Sequence, residues 1–394
     1  MRGFSDTVLN DRRLLIDGLF EPFQVKSLSM RNRIVMPAMG RHFNDDGVPA
    51  EAYIDYFRRR AEGGTGLLIT EVAAIDHPVS QASPGYGRMH GEDALVVWRR
   101  VVAAVHEAGG RIMPQLVHCG TVRPVGASPN AHLGPLSPSG LQMDFESSAP
   151  AATKVAEPAS IAEIDSAIQG FATSARLAKE AGFDGIEIHG AHGYLIDQFF
   201  WEKMNKRTDR YGGGLVDRTR FAVEVIGACR AAVGLDFPIF FRWSQWKQQD
   251  YWAKLCPTPQ DMAAFLEPIA KAGVDVLDVS TRRVWEPEFP GSDLNAAGWT
   301  RMITGLPTIT VGSIMLDHDP LPSNYRGDVA SDGFDPDRRP RSIDHVLAKL
   351  NRGECDLVAI GRALIANPDT ANDIAAERWD RFGQYSRDTL STLV

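Results

Sequence analysis

Apolar residues along the chain gather into eight short runs: Arg33–Ala38, Gly66–Val72, Arg111–Val117, Gly185–His189, Pro238–Arg242, Val274–Ser280, Thr308–Gly312 and Asp356–Gly361. Each is only five to seven residues long and apolar at most positions, on both faces of an extended chain. Strands buried on both faces have this signature, and they occur in parallel sheets covered by helices. Between the runs the period changes. In Ile161–Glu180, residues Ile164, Ile168, Phe171, Ala175 and Ala178 recur at helical spacing. The turn Ala181-Gly182-Phe183-Asp184-Gly185 then returns to a strand, and related turns stand at Ala270–Asp275 and His106–Gly110. Strand and helix alternating in this way predict βαβ units. Eight units fit a closed (β/α)₈ TIM barrel, an α/β fold, better than an open doubly wound sheet. The reading makes residues 1–17 an N-terminal extension and residues 18–394 a single barrel domain.

Two connections are long. Residues 120–158 are proline-rich and follow strand three, on the face where barrels build active sites. A short hairpin is expected inside them. Residues 317–341, rich in Asp, Arg, Pro and Gly, stand between strands seven and eight, and read equally as a surface insertion or a lid.

Composition narrows the classes. The 394 residues are 44% hydrophobic, and barrels routinely reach this length as one unit. A net charge of −8 without a basic stripe argues against a nucleic-acid partner. Cys119, Cys229, Cys256 and Cys355 stand apart with no C-x-x-C pair, which argues against a metal cluster or a disulfide framework. The N-terminus lacks the pattern of a secretory signal, and no apolar window approaches about 18 residues. A cytoplasmic protein without a membrane span is expected.

The densest chemistry lies in Ile186–Leu195, IEIHGAHGYL. A strand ending at His189 and a Gly-rich turn carrying His192 and Tyr194 would put three polar groups at the barrel mouth. Two imidazole N–H groups suit one developing negative oxygen, and a nearby phenol suits proton delivery. The plainer reading is that the histidines cap the strand end. Zinc fits less well, because the spacing is not H-E-x-x-H and no third ligand is near. Gly312 and Ser313 after strand seven, with Gly361 and Arg362 after strand eight, match the place where barrels grip phosphate. Gln115 and Arg242 interrupt apolar strands and need buried partners, either a polar ring system or each other's neighbours in the barrel. Glu71 reads as a carboxylate satisfying loop amides. Trp243, Trp246, Tyr251 and Trp252 form an aromatic group read mainly as packing.

Together these residues resemble the Old Yellow Enzyme family of FMN-dependent NAD(P)H oxidoreductases. The resemblance runs from Leu19-Phe20-Glu21-Pro22 through Asn32–Pro37 and His189–Gln198 to Asn205–Gly213, Gly361-Arg362 and Asn367-Pro368-Asp369. It implies non-covalent FMN, with the backbone of Ala38, Met39, Gly40 and Val72 beside the ring. Gln115 and Arg242 would then meet the ring's polar edge, and Gly312, Ser313, Gly361 and Arg362 the phosphate. His189 and His192 would hold a substrate carbonyl, and Tyr194 would donate a proton. The implied reaction is reduction of the C=C bond of an α,β-unsaturated carbonyl compound, with NAD(P)H as a diffusing reductant. A small-molecule substrate is implied; a homo-oligomer is compatible.

Three positions depart from the family pattern. Gly40 replaces a frequent Thr or Cys, Val72 a smaller residue, and Thr121 a frequent arginine. Competing expectations are an amine dehydrogenase or N-demethylase on the same barrel, a flavin-binding protein without catalysis, and a cofactor-free sugar-phosphate enzyme. The last would need a lysine or a carboxylate pair at strand ends, and none is apparent in the sequence.

Overall fold

A computed structural model describes residues 16–144, 151–316, 340–383 and 385–393. The extension up to residue 15 and nearly all of 317–341 lie outside the described residues. Eight parallel strands close on themselves: β1 (Ile34–Met36), β2 (Leu67–Ala74), β3 (Ile112–Val117), β4 (Ile186–His192), β5 (Ile239–Lys247), β6 (Val276–Ser280), β7 (Thr308–Val311) and β8 (Leu357–Ala359). Each pairs with its successor, and β8 returns to β1. The architecture is therefore the expected (β/α)₈ barrel. The enclosing helices are α1 (Ala52–Glu62), α2 (Glu92–Glu107), α3 (Ile161–Glu180), α4 (Arg220–Val233), α5 (Pro259–Lys271), α6 (Ala296–Thr304), α7 (Arg341–Asn351) and α8 (Thr370–Ala375).

One turn chemistry recurs at the base of the barrel. Asp184, just before β4, donates its N–H to the Ile112 carbonyl at 2.9 Å, and its Oδ2 accepts the Ile112 N–H at 2.8 Å. Asp275 does the same to Ile239 before β6, and Asp356 to Thr308 before β8. Each aspartate thus satisfies the first amide of the preceding strand, which helix packing would otherwise bury unpaired. This explains why the turns repeat in sequence.

Alternation along the strands divides the core. Inward residues Val35, Leu67, Ile69, Met113, Phe240, Val276, Ile309 and Leu357 fill the lower barrel. An antiparallel hairpin, Phe23–Val25 with Leu28–Met30, adds Phe23, Leu28 and Met30 to that cluster and closes the bottom. Outward residues such as Ile188, Phe241 and Leu277 pack in the large cluster beneath the helices. Above the apolar layer the interior turns polar, with Gln115, Glu187, Arg242 and Asp278 all buried. Polar groups there need partners, and the barrel mouth above them is where ligands bind.

The expected hairpin in residues 120–158 is present as Leu141–Met143 paired with Ala152–Lys154. Three strands run further than the sequence indicates, β2 by two residues to Ala74 and β4 and β5 by more. β4 continues through a bulge between Gly190 and His192, and β5 continues to Lys247, because Gly190 pairs with Trp243 and His192 with Lys247. Arg242 therefore sits within β5 and not at its end. Among the described residues no helix is long and apolar enough to cross a membrane.

Candidate active site

Two adjoining hollows open at the C-terminal mouth. One, of about 290 Å³, is walled by Gly40, Val72, Gln115, His189, His192 and Tyr194, with His42 and Tyr86. The other, of about 400 Å³, is walled by Met39, Gly312, Ser313, Gly361 and Arg362, with Trp246 and Tyr251. Ala38, Arg242 and Gln248 belong to both. All the residues singled out in the sequence for catalysis or cofactor binding thus stand on one continuous concave surface.

His189, His192 and Tyr194 form a compact set. The ring centroids of His189 and His192 are 5.2 Å apart, and those of His189 and Tyr194 4.8 Å. The bulge gives His192 a left-handed backbone (φ 63°), and Ser244 Oγ accepts its N–H at 3.1 Å. Its Nε2 lies 2.8 Å from Ser280 Oγ. The Nδ1 of His189 is buried without a partner among the described residues. Burial and the Arg242 charge hold the His189 imidazole well below its usual range; burial, His189, Arg242 and Lys247 do the same for His192. Both are neutral near pH 7, each with one N–H to donate.

Tyr194 follows Gly193, whose φ of +81° is the left-handed conformation that favours glycine. A side chain there would also strike Gln249 Oε1, 2.0 Å from an ideal Cβ. Asp197 Oδ2 accepts the Gly193 N–H at 2.7 Å, and Asp197 Oδ1 pairs with Lys247 Nζ at 2.6 Å, both side chains fully buried. This pair ties the turn bearing Tyr194 to the end of β5. Burial pushes the Tyr194 phenol up to about 12, with Cys119 adding to the rise; its hydroxyl lies 3.3 Å from that of Tyr86. At neutral pH it carries its proton.

Below this set lies the polar layer. Gln115 Nε2 donates to Glu187 Oε1 at 2.6 Å, and Arg242 Nη1 stands 3.4 Å from Asp278 Oδ2. Arg242 Nε and Nη1 are nonetheless buried without a hydrogen-bond acceptor among the described residues. A buried guanidinium with unused donors on a cavity wall fits a ligand with acceptor atoms. On the other side, Gly361 presents bare backbone, with no atom of the described residues nearer than 3.5 Å to where a Cβ would stand. Ser313 adopts φ 47°, its Oγ donating to the Arg282 carbonyl at 2.9 Å. A flat polar ring on the Arg242 side and an anion on the Gly361–Arg362 side suit this surface.

Several sequence readings change. A carboxylate pair lies deeper in the barrel, below the strand ends: Glu187 of β4 and Asp278 of β6 are both fully buried, and each acts on the other. The aromatic group is not one unit. Trp243 packs on Phe265 under the helices, whereas Trp246 stacks on Tyr251 (5.3 Å, 10°) and lies 4.6 Å from His192 on the cavity wall; Trp252 is exposed. Alternation along β5 separates them. Gly40 and Val72 do line the cavity, but Thr121 is buried beside Gln198, donating its N–H to Oε1 at 3.2 Å. Glu71 serves loop amides as expected, accepting from Arg41 N–H at 2.7 Å and His42 N–H at 2.9 Å.

His42 was not anticipated. Its backbone is left-handed (φ 58°), and its Nε2 lies 2.6 Å from where a Gly40 Cβ would stand. An imidazole two positions on therefore fills the space a side chain at position 40 would use. Its ring also contacts Tyr86, with centroids 4.9 Å apart.

Known proteins similar to the chain are flavin oxidoreductases and reductases. The chain is 33% identical over 361 residues to an NADH oxidase of Thermoanaerobacter brockii, covering 89% of this chain but only 50% of that longer protein. It is 31% identical over 378 residues to a putative 12-oxophytodienoate reductase 2 of Oryza sativa subsp. japonica (94% and 92% covered). Against an NADPH dehydrogenase of Clostridium acetobutylicum it is 32% identical over 362 residues (89% and 92%). Among solved structures, morphinone reductase in complex with tetrahydroNAD superposes with a TM-score of 0.74 at 25% identity (95% and 94% covered). Old Yellow Enzyme from Pichia sp. AKU4542 shares the fold with a TM-score of 0.76 (24% identity, 95% and 90%). Residues 18–329 match the NADH:flavin oxidoreductase / NADH oxidase family, and the chain belongs to it, as an FMN-dependent, NAD(P)H-using oxidoreductase of the Old Yellow Enzyme type acting on small molecules.

Proposed function

We propose that the protein reduces the C=C bond of α,β-unsaturated carbonyl compounds, with Tyr194 as proton donor. The observation that carries this reading is the contact set of two neutral imidazoles and one high-pKa phenol on the same cavity wall. Bound FMN supplies the hydride, which it receives from NAD(P)H. The polypeptide does the rest. His189 and His192 donate hydrogen bonds to the substrate's carbonyl oxygen and favour the negative charge that grows there. Tyr194, on the same side, gives its proton to the α-carbon. Gln115 and Arg242 hold the polar edge of the cofactor ring, and Ala38, Met39, Gly40 and Val72 supply backbone beside it. Gly312, Ser313, Gly361 and Arg362 hold its phosphate. One cavity serves both reductant and substrate, which implies ping-pong kinetics.

Tyr194→Phe tests the proton donor. Stopped-flow traces should show NAD(P)H bleaching the flavin at near the wild-type rate. Reoxidation by 2-cyclohexenone should slow by about 10²–10⁴-fold, the usual worth of a positioned acid. Equal loss in both half-reactions would refute the role.

A further inference from the structure

The two acids of the barrel interior have no part in the reaction above, yet they sit beside its cofactor's cation. Glu187 comes from β4 and Asp278 from β6, and residues of alternate strands share one layer of a barrel. Both side chains are fully buried. Glu187 Oε1 is satisfied by Gln115, but Glu187 Oε2 and both Asp278 oxygens meet no hydrogen-bond donor among the described residues. Two acceptor-only carboxylates facing each other in a dry site repel strongly, and a shared proton turns the clash into a hydrogen bond. Arg242 from β5 and Gln115 from β3 are the other polar groups acting on them. With one proton on the pair, the carboxyls and Arg242 together carry no net charge.

We propose that Glu187 and Asp278 form a proton site coupled to the flavin: they share one proton at rest and take up a second when Arg242 faces the reduced, anionic ring. A hydride from NAD(P)H brings two electrons and one proton and leaves the ring one negative charge richer. Without compensation the buried site would hold two negative charges against one cation, a costly arrangement at low dielectric. A solvent proton binding the remaining carboxylate restores neutrality. When the hydride passes on to substrate, the pair returns that proton to solvent. Burial raises both carboxyls above the usual range, with Asp278 adding to the rise for Glu187 and Arg242 opposing it for each.

The inference rests on Arg242 lying against bound flavin, as proposed above. The test uses the holoenzyme in weakly buffered anaerobic solution near neutral pH, reduced with one equivalent of NADH while phenol red reports protons. Hydride transfer alone consumes no solvent proton. Wild type should take up about one per flavin, and so should Glu187→Gln, since the amide mimics the protonated acid and Asp278 remains to accept the second proton; Glu187→Gln/Asp278→Asn, with no carboxylate left, should take up about none. Asp278→Asn should behave as Glu187→Gln does, and Glu187→Gln/Asp278→Leu serves if the double amide variant does not fold. No uptake in wild type overturns the proposal, whatever the variants do. Undiminished uptake in the double variant overturns it too, because the proton would then bind outside the pair; loss of uptake in either single variant overturns it as well, because one carboxylate would still be free to accept. Wrong placement of Arg242 shows separately, as unchanged FMN retention in Arg242→Met.

Discussion

Replacing Lys247 by methionine probes the pair that secures the Tyr194 turn. Methionine keeps most of the apolar stem and removes the ammonium, so Asp197 is left fully buried with only the Gly193 N–H at 2.7 Å. Because neither partner of the 2.6 Å contact touches solvent, screening does not soften the loss. Breaking such a pair from one side costs about 3–5 kcal/mol. At about 2.1 cal/mol/K per residue, 394 residues give an unfolding entropy of roughly 0.8 kcal/mol/K, so Tm should fall by roughly 4–6 °C. Lys247→Met/Asp197→Asn removes both charges while the new side-chain amide oxygen still accepts from Gly193, and most of the loss should return. Thermal melts of wild type, both single variants and the double variant complete the cycle. A double variant no more stable than Lys247→Met would refute the reasoning.

The same variant predicts a pH dependence of known sign. Burial already raises Asp197 above the usual carboxylate range, with Lys247 and the Gly193 amide opposing that rise. Without Lys247 the folded-state pKa climbs further above the unfolded value. The folded protein then binds more protons than the unfolded one across that interval, so stability falls as pH rises through it. The penalty of Lys247→Met should therefore shrink on acidification as Asp197 takes a proton.

Two further outcomes follow from the site. Gly193→Ala combines φ +81° with a 2.0 Å approach to Gln249 Oε1; it should destabilise by more than the roughly 1 kcal/mol of a left-handed alanine and slow substrate reduction more than flavin reduction, measured by melting and stopped flow. Wild-type stability should fall as pH drops below about 6.5: His189, His192 and His118 are held well below their usual range, chiefly by burial, and His77 at about 4, also by burial, so the unfolded chain binds protons first. Urea titrations between pH 7 and pH 4 measure the slope; a flat profile would contradict the buried neutral imidazoles.

The barrel was legible because every strand is buried on both faces and so appears as an apolar run. Where the strands carry polar residues, legibility failed. His-Gly-Ala-His at the end of β4 and Ser-Gln-Trp-Lys at the end of β5 have the composition of turns, yet each extends the ladder of the other. Propensity is local, whereas those hydrogen bonds come from a neighbouring strand. Glu187 and Asp278 escaped notice for a related reason. Each looks like an isolated acid within its own run, and only closure of the barrel brings them together. His42 was hidden by Gly40: the sequence shows a missing side chain, and the left-handed turn that refills the space has no compositional mark.

The electrostatics of the mouth separate the two halves of the proposed reaction. Arg242 belongs to both hollows, and its charge contributes to keeping His189 and His192 neutral. A neutral imidazole can donate to the substrate oxygen without surrendering its proton, so negative charge is stabilised there but not quenched. Tyr194 lies in the opposite environment, packed in a small apolar cluster with Val117 and Cys119 and against Val72 and Val122. That dry setting raises the phenol to about 12, and in the proposed reaction it keeps the proton until the α-carbon becomes basic enough to take it. In the proposed reaction the imidazoles therefore favour negative charge under Arg242 while the phenol on the same wall withholds its proton. A phenol with an ordinary pKa beside a protonated histidine would lose that order, since the imidazolium would protonate the oxygen first.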